Sequence, residues 1–216
     1  MKRTSPCELC LIILAAILAA MFSGWFSPAR AAAVSLHRVL ATTRSGMEVD
    51  VYRAGPASAA VGILLSPSRR GVTPGIKQWA TLLGQAGYRV LVIDLYGGRT
   101  YRSQAHARAA FAAIKSDVLQ AQERVGLRLL RAPGRKLVAM GWGRFGGTRA
   151  LEAALSNNGV VGGVVLYDDL HHLPSTAARL QQLKAPVLGV YFADERRSAR
   201  LQAFSEAMRR AHKPFY

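Results

Sequence analysis

Cysteine is almost missing from this 216-residue chain, with its two copies at positions 7 and 10. Everything from residue 32 onward therefore lacks a thiol. That excludes disulfides there, thiolate zinc or iron–sulfur centres, and a cysteine nucleophile. Acidic residues are scarce as well, 12 against 29 lysines and arginines, giving a formal net charge of +17 at pH 7. The excess is mostly arginine scattered along the chain, in nothing denser than pairs such as Arg69-Arg70, Arg196-Arg197 and Arg209-Arg210. No basic arm appears, and no strand interleaves aromatic and basic residues, so specific nucleic-acid binding is not expected. A solvated basic surface able to adhere to anionic membranes or polyanions is the better reading. Repeats and low-complexity linkers are absent too, which leaves one domain behind a short leader.

The leader is legible by composition. Met1-Lys2-Arg3 is a positive start, Leu9 to Phe26 is an almost unbroken apolar run, and Ser27-Pro28-Ala29-Arg30-Ala31 offers small residues to a signal peptidase. This is the layout of a secretory signal peptide over residues 1–31, with cleavage expected after Ala31. The alternative is an uncleaved anchor, because an apolar run of this length just spans a bilayer. Cys7 and Cys10 precede the apolar run and so make no lipid-attachment site. Both alternatives place the domain, residues 32–216, outside the cytoplasm, in a periplasmic or secreted location.

Within the domain, residues 34–42 and 47–53 alternate around Arg44-Ser45-Gly46 and predict an opening hairpin. From Val61 onward short continuous apolar runs alternate with helical patterns. Strands are expected at 61–65, 89–95, 136–140, 160–166 and 187–192. Helices are expected at 75–86, across 103–130 with a break near Lys115-Ser116, from about Gly147 to Ser156, around 175–183, and at 198–211. Strands of this kind are buried on both faces. Alternation of this kind predicts a doubly wound, mainly parallel sheet with helices on both faces. Functional residues are then expected on loops beyond the carboxyl ends of the strands, beginning near Ser66, Asp94, Gly141, Tyr167 and Ala193.

Three of those loops carry motifs. Gly141-Trp142-Gly143-Arg144-Phe145-Gly146-Gly147 has the strand, glycine-rich turn and helix context of a nucleophile elbow. It is not a Walker loop, since the closing Lys-Ser/Thr pair is missing, and a dinucleotide fingerprint would sit on the first strand of the unit. No cofactor is called for. Asp94-Leu95-Tyr96-Gly97-Gly98 follows Gln85-Ala86-Gly87-Tyr88-Arg89-Val90-Leu91. Pro186-Val187-Leu188-Gly189-Val190 precedes the acidic pair Asp194-Glu195. Together, from Val61 to Tyr216, these motifs resemble the dienelactone hydrolase family, which has the α/β-hydrolase fold. The resemblance implies hydrolysis of a small ester or lactone. It also implies that Asp194 or Glu195 stands at the acid position of a catalytic triad.

The departures from the family pattern bear directly on chemistry. The family places a nucleophilic cysteine between the tryptophan and the phenylalanine of the elbow, where this chain has Gly143-Arg144. No serine or cysteine lies between Ser116 and Ser156, so no elbow side chain can attack a carbonyl. The family's glutamate after the third strand falls at Ser68. Its general-base histidine follows one further strand, which would start where Tyr216 stands, and His212 precedes that position as a solvated helix-end residue. The expectation is therefore a catalytically impaired hydrolase. The alternative is a non-enzymatic pocket that holds a small carboxylate or other anion through Arg144, Phe145, Ser68, Arg69 and the amides at the helix start. The run Tyr167-Asp168-Asp169-Leu170-His171-His172, facing Asp194-Glu195, could also form a metal site, but polar turn and capping roles account for it better, and no metal site is expected. Lacking the last strand, the 187–192 strand is expected to expose an unpaired edge, open to self-association, with Lys213–Tyr216 too short to cover it.

Overall fold

The computed structural model describes residues 34–43, 45–156, 159–167, 177–191 and 199–216. Among them, β1 (His37–Thr42) and β2 (Glu48–Ala54) form the expected antiparallel hairpin. They are followed by β3 (Val61–Ser66), α1 (Pro74–Gln85) and β4 (Arg89–Ile93). Next come α2 (Gln104–Ala112), α3 (Ser116–Leu130), β5 (Lys136–Trp142) and α4 (Gly143–Leu155). The remaining elements are β6 (Val160–Tyr167), α5 (Ala177–Leu180), β7 (Val187–Val190) and α6 (Ala199–Arg210). The strands make one sheet in the order β1-β2-β4-β3-β5-β6-β7. All neighbours from β4 to β7 are parallel, and β2 joins β4 antiparallel. This is the mixed α/β sheet of an α/β-hydrolase.

Local chemistry explains the element ends. Thr73 caps α1 by accepting the Ile76 N–H, and Pro74 follows at a position where a missing N–H costs nothing. Ser103 caps α2 in the same way through the His106 N–H. The long helical stretch breaks at Ala113–Lys115, as its pattern predicts.

Two cores flank the sheet. Ile63, Leu65, Val90, Val92 and Met140 pack under Ile76, Ala80 and Leu83 of α1. Leu64, Leu91, Ala139, Val164 and Leu166 pack against α3, α4 and α6 through Leu127, Leu151 and Met208. Alternate residues of each strand feed opposite cores, so both faces must be covered.

Two expectations need correction. The helix after β5 begins at Gly143, not near Gly147, because a glycine at positive φ lets the chain turn within one residue of the strand end. The edge beyond β7 is also not bare along the described strand. The Val187 and Gly189 amides donate to the Pro214 and Tyr216 carbonyls at 3.0 and 2.8 Å, and the Tyr216 amide returns to Val187 O at 3.0 Å. His212, in the left-handed region at φ 55°, redirects the chain after α6 so that three residues suffice for this pairing. Phe215 then packs edge-on to Phe204 of α6, ring centroids 5.1 Å apart. The leader lies outside the described residues, and among those residues no helix is long and apolar enough to cross a membrane.

Candidate active site

The order of the sheet places the site. The chain runs from β3 to β4 on one side and later to β5 on the other, so the loops after β3 and β5 diverge and leave a crevice between them. Ser66 pairs with Gly141 at the ends of these strands, which brings the 67–71 loop beside the elbow.

The elbow survives as backbone geometry. A Cβ on Gly141 would lie 2.1 Å from the Gly146 carbonyl oxygen, and a Cβ on Gly146 would lie 2.5 Å from that of Ser66. Strand, helix and neighbouring loop touch backbone to backbone, which only glycine permits. Between them Gly143 sits at φ 68°, on the sharp turn where an elbow displays its nucleophile. Of the two residues that sequence comparison sets opposite the family's cysteine, the turn residue is Gly143. Arg144 already belongs to the first turn of α4, where its carbonyl accepts the Thr148 hydroxyl at 3.0 Å. At the position built for attack there is no side chain.

A cavity of about 260 Å³ opens over this turn, lined by Ser68, Arg69, Arg70, Gln104, Ala107, Gly143, Arg144 and Phe145. It unites the predicted Ser68, Arg69, Gly143, Arg144 and Phe145. Arg70 and the α2 residues Gln104 and Ala107 were not predicted, because α2 is remote in sequence and its pattern reads only as an ordinary helix. The Arg69 guanidinium carbon lies 5.5 Å from the Phe111 ring centroid and 5.8 Å from that of Phe145, and the two rings meet at 4.3 Å. Its Nε is buried with no hydrogen-bond partner among the described residues. No described carboxylate lines the cavity.

The Asp94 turn braces this loop from behind. The Asp94 carboxylate, 2% exposed, accepts the Tyr96 and Gly98 amides at 3.0 and 2.5 Å. Tyr96 in turn donates its hydroxyl to the Arg69 carbonyl at 2.9 Å. Burial raises the Tyr96 phenol to about 12, so it stays a neutral donor. Asp94 is therefore committed to holding a turn.

Beneath the elbow lies a second ionic group that the sequence did not reveal. Arg149 of α4 donates through Nε to the Glu123 carboxylate of α3 at 2.5 Å. Burial pushes Glu123 up to about 7, with Arg149 pulling the other way. Phe145 lines both the cavity and the small void beside Glu123, so it separates the two.

The remaining predicted residues fall elsewhere. Asp194 and Glu195 lie outside the described residues, as does the Asp168-Asp169-His171-His172 run. Among the described residues no three His, Cys, Asp or Glu side chains cluster as a metal site. His212 is exposed beyond the end of α6, beside the start of β7, at the opposite end of the sheet from Gly143.

The chain is similar in structure to a dienelactone hydrolase-like promiscuous phosphotriesterase from metagenomic libraries. The two share 20% identity and a TM-score of 0.71, over 85% of this chain and 80% of that one. It is also similar to dienelactone hydrolase from Anabaena variabilis, with 19% identity and a TM-score of 0.63 over 85% and 84%. Brefeldin A esterase, described as a bacterial homologue of human hormone-sensitive lipase, has 13% identity and a TM-score of 0.60 over 99% and 78%. At these identities the likeness is one of fold. A comparison with curated protein sequences finds no match. The sequence from residue 49 to 216 matches the model of the dienelactone hydrolase family. With that match over most of its length, the chain belongs to the dienelactone hydrolase family.

Proposed function

We propose that this protein is an exported, catalytically impaired member of the family that holds a small carboxylate in the crevice above Gly143. Family membership implies small esters or lactones as the substrate class. What turns the reading from hydrolysis to binding is Gly143 itself, a turn residue with no atom to attack a carbonyl. Two features support an anion as the occupant. The first turn of α4 directs backbone amides and the positive end of its dipole at the crevice. Arg69, Arg70 and Arg144 then add cations where the helix end is already positive. An acceptor at the Arg69 Nε would relieve a buried charged donor without a partner.

Thermal unfolding of the purified protein with and without benzoate tests this. At a hundredfold excess over the dissociation constant, benzoate should add roughly 2.7 kcal/mol of stability. Arg69→Ala and Arg144→Ala should each remove that gain, while the exposed Arg99→Ala should keep it. Equal stabilisation of all three variants would mean diffuse binding to a basic surface and would end the proposal. Active-site-directed phosphonates should leave the protein unmodified, and a stoichiometric adduct on one Ser or Thr would restore the hydrolase reading. Export rests on the leader, and mass spectrometry should find the exported N-terminus at Ala32 or within two residues of it.

A further inference from the structure

The opposite end of the sheet carries a second concentration of positive charge that the crevice does not use. Register fixes its members. Arg89, Lys136 and Val187 begin the parallel strands β4, β5 and β7. Arg53 stands one residue from the end of the antiparallel β2, and His37 pairs with it at the start of β1. Arg135 and Lys184 shortly precede β5 and β7, and Lys213 precedes the Pro214 carbonyl that accepts the Val187 amide. These cations therefore share the rim where the parallel strands start.

The rim holds no compensating side-chain carboxylate among the described residues. Glu48, Asp50, Asp94 and Asp117 lie toward the other end of the sheet or on the first turn of α3, which follows it. Glu152 and Glu206, on the helices running down to the rim, are already engaged by Arg179 and Arg210. Burial disfavours the charge on Arg89 most, and the neighbouring Arg53 and Arg135 add to that effect. Such mutual repulsion is a standing preference for an anionic partner.

The shape of this charge indicates what kind of partner. The cations are strung along six strands, from β2 to β7, a width of about 24 Å at the usual strand spacing. A small anion would touch one or two of them. The chain also enters the domain here, since Val34 lines a cleft on this rim together with Arg53, Gly55, Gly84 and Arg89. Eight Cα–Cα steps, through seven intervening residues, join Phe26, the end of the apolar run, to Val34. They reach about 28 Å at most. Until the leader is cleaved, this tether joins the domain at the rim and holds it within that distance of any bilayer the run occupies.

We infer that the strand-start rim is a docking face for an anionic membrane surface, with Arg53, Lys136 and Lys184 among its contacts. All three are exposed. The inference is independent of what the crevice holds.

The test uses the full chain with vesicles of phosphatidylcholine alone or enriched in phosphatidylglycerol, so that the leader contributes equally to both. Phosphatidylglycerol should strengthen binding, and rising salt should remove the gain. Each basic residue near an anionic surface contributes about fivefold. The triple variant Arg53→Gln, Lys136→Gln, Lys184→Gln should therefore lose roughly a hundredfold on anionic vesicles and nothing on neutral ones. The matched triple Arg99→Gln, Arg102→Gln, Lys115→Gln, from the loops at the other end, should stay within a fewfold of the parent. Equal loss in both triples, or no preference for phosphatidylglycerol, would overturn the inference. Binding to single-stranded RNA with the same residue dependence but none to vesicles would also overturn it, in favour of a polynucleotide. A footprint that needs no variant gives the same answer. Anionic vesicles should protect the unmodified chain from trypsin at Lys136 and Lys184 but not at Arg102, and protection at Arg102 alone would place the contact on the wrong face.

Discussion

The two ends of the parallel sheet are both rich in arginine, yet they use it in opposite ways. Where the strands end, α4 begins, and helix starts present unsatisfied N–H groups and a positive dipole. Arginine placed there adds positive to positive, and the buried Nε of Arg69 has no hydrogen-bond partner among the described residues. Where the strands begin, helices end, and their last carbonyls need donors. Arg135 meets that need at the Leu130 carbonyl of α3 and also holds the Ala57 and Ala59 carbonyls of the loop before β3. Arg69 thus stands against a helix start and Arg135 clamps a helix end, while Arg53 on the same rim as Arg135 stays exposed. Glu123 and Arg149 make an intermediate case, a cation near the crevice end whose anion is internal.

The sharpest way to break this comparison is at the elbow backbone. Gly146→Ala forces a Cβ to within 2.5 Å of the Ser66 carbonyl oxygen and 3.1 Å of that of Pro67. It should cost about 3–4 kcal/mol in urea unfolding. Gly75→Ala, whose Cβ would have its nearest neighbour at 4.0 Å, should stay within about 0.5 kcal/mol of the parent. If both were tolerated, the strand-to-helix contact would not be what shapes the crevice.

A smaller loss is expected at the rim. Arg135→Ala strands three carbonyls at once and should cost about 2–3 kcal/mol. The exposed Arg53→Ala should change stability by no more than about 0.5 kcal/mol. Equal effects would erase the distinction between a clamping arginine and a surface one.

The mildest effect is a pH dependence from Glu123. Burial holds its proton up to about pH 7, above the usual 4.5, so the native state binds that proton more tightly than the unfolded chain. Its contribution to stability is complete below about pH 4.5 and is lost as pH rises toward 7. Between pH 5 and pH 8 the parent should lose roughly 1–2 kcal/mol that Glu123→Gln does not lose. A parent and variant with parallel profiles would show that Arg149 keeps the carboxylate ionised throughout.

Much of this was legible in the residues. Continuous apolar runs such as Val61–Leu65 and Leu137–Met140 mark buried parallel strands, because such runs suit burial on both faces. Ser103 and Thr73 mark helix starts, and the glycines of 141–147 mark a strand-to-helix turn that carries no serine or cysteine. The start of α4 was misplaced because helical periodicity cannot show where a positive-φ glycine admits the turn. The covered edge of β7 was missed because three residues carry no strand pattern, and only the return of α6 to the rim brings them into register. Neither could sequence pair Glu123 with Arg149, 26 residues apart on helices that only packing brings together. The sequence by itself determined the alternating strands and helices, the family, and the absence of a serine or cysteine at Gly143-Arg144, all set by local pattern and residue identity, and the structure then placed Gly143 on the turn. Only the tertiary structure decided which arginines meet helix starts and which meet helix ends, because that depends on the direction in which each strand and helix runs.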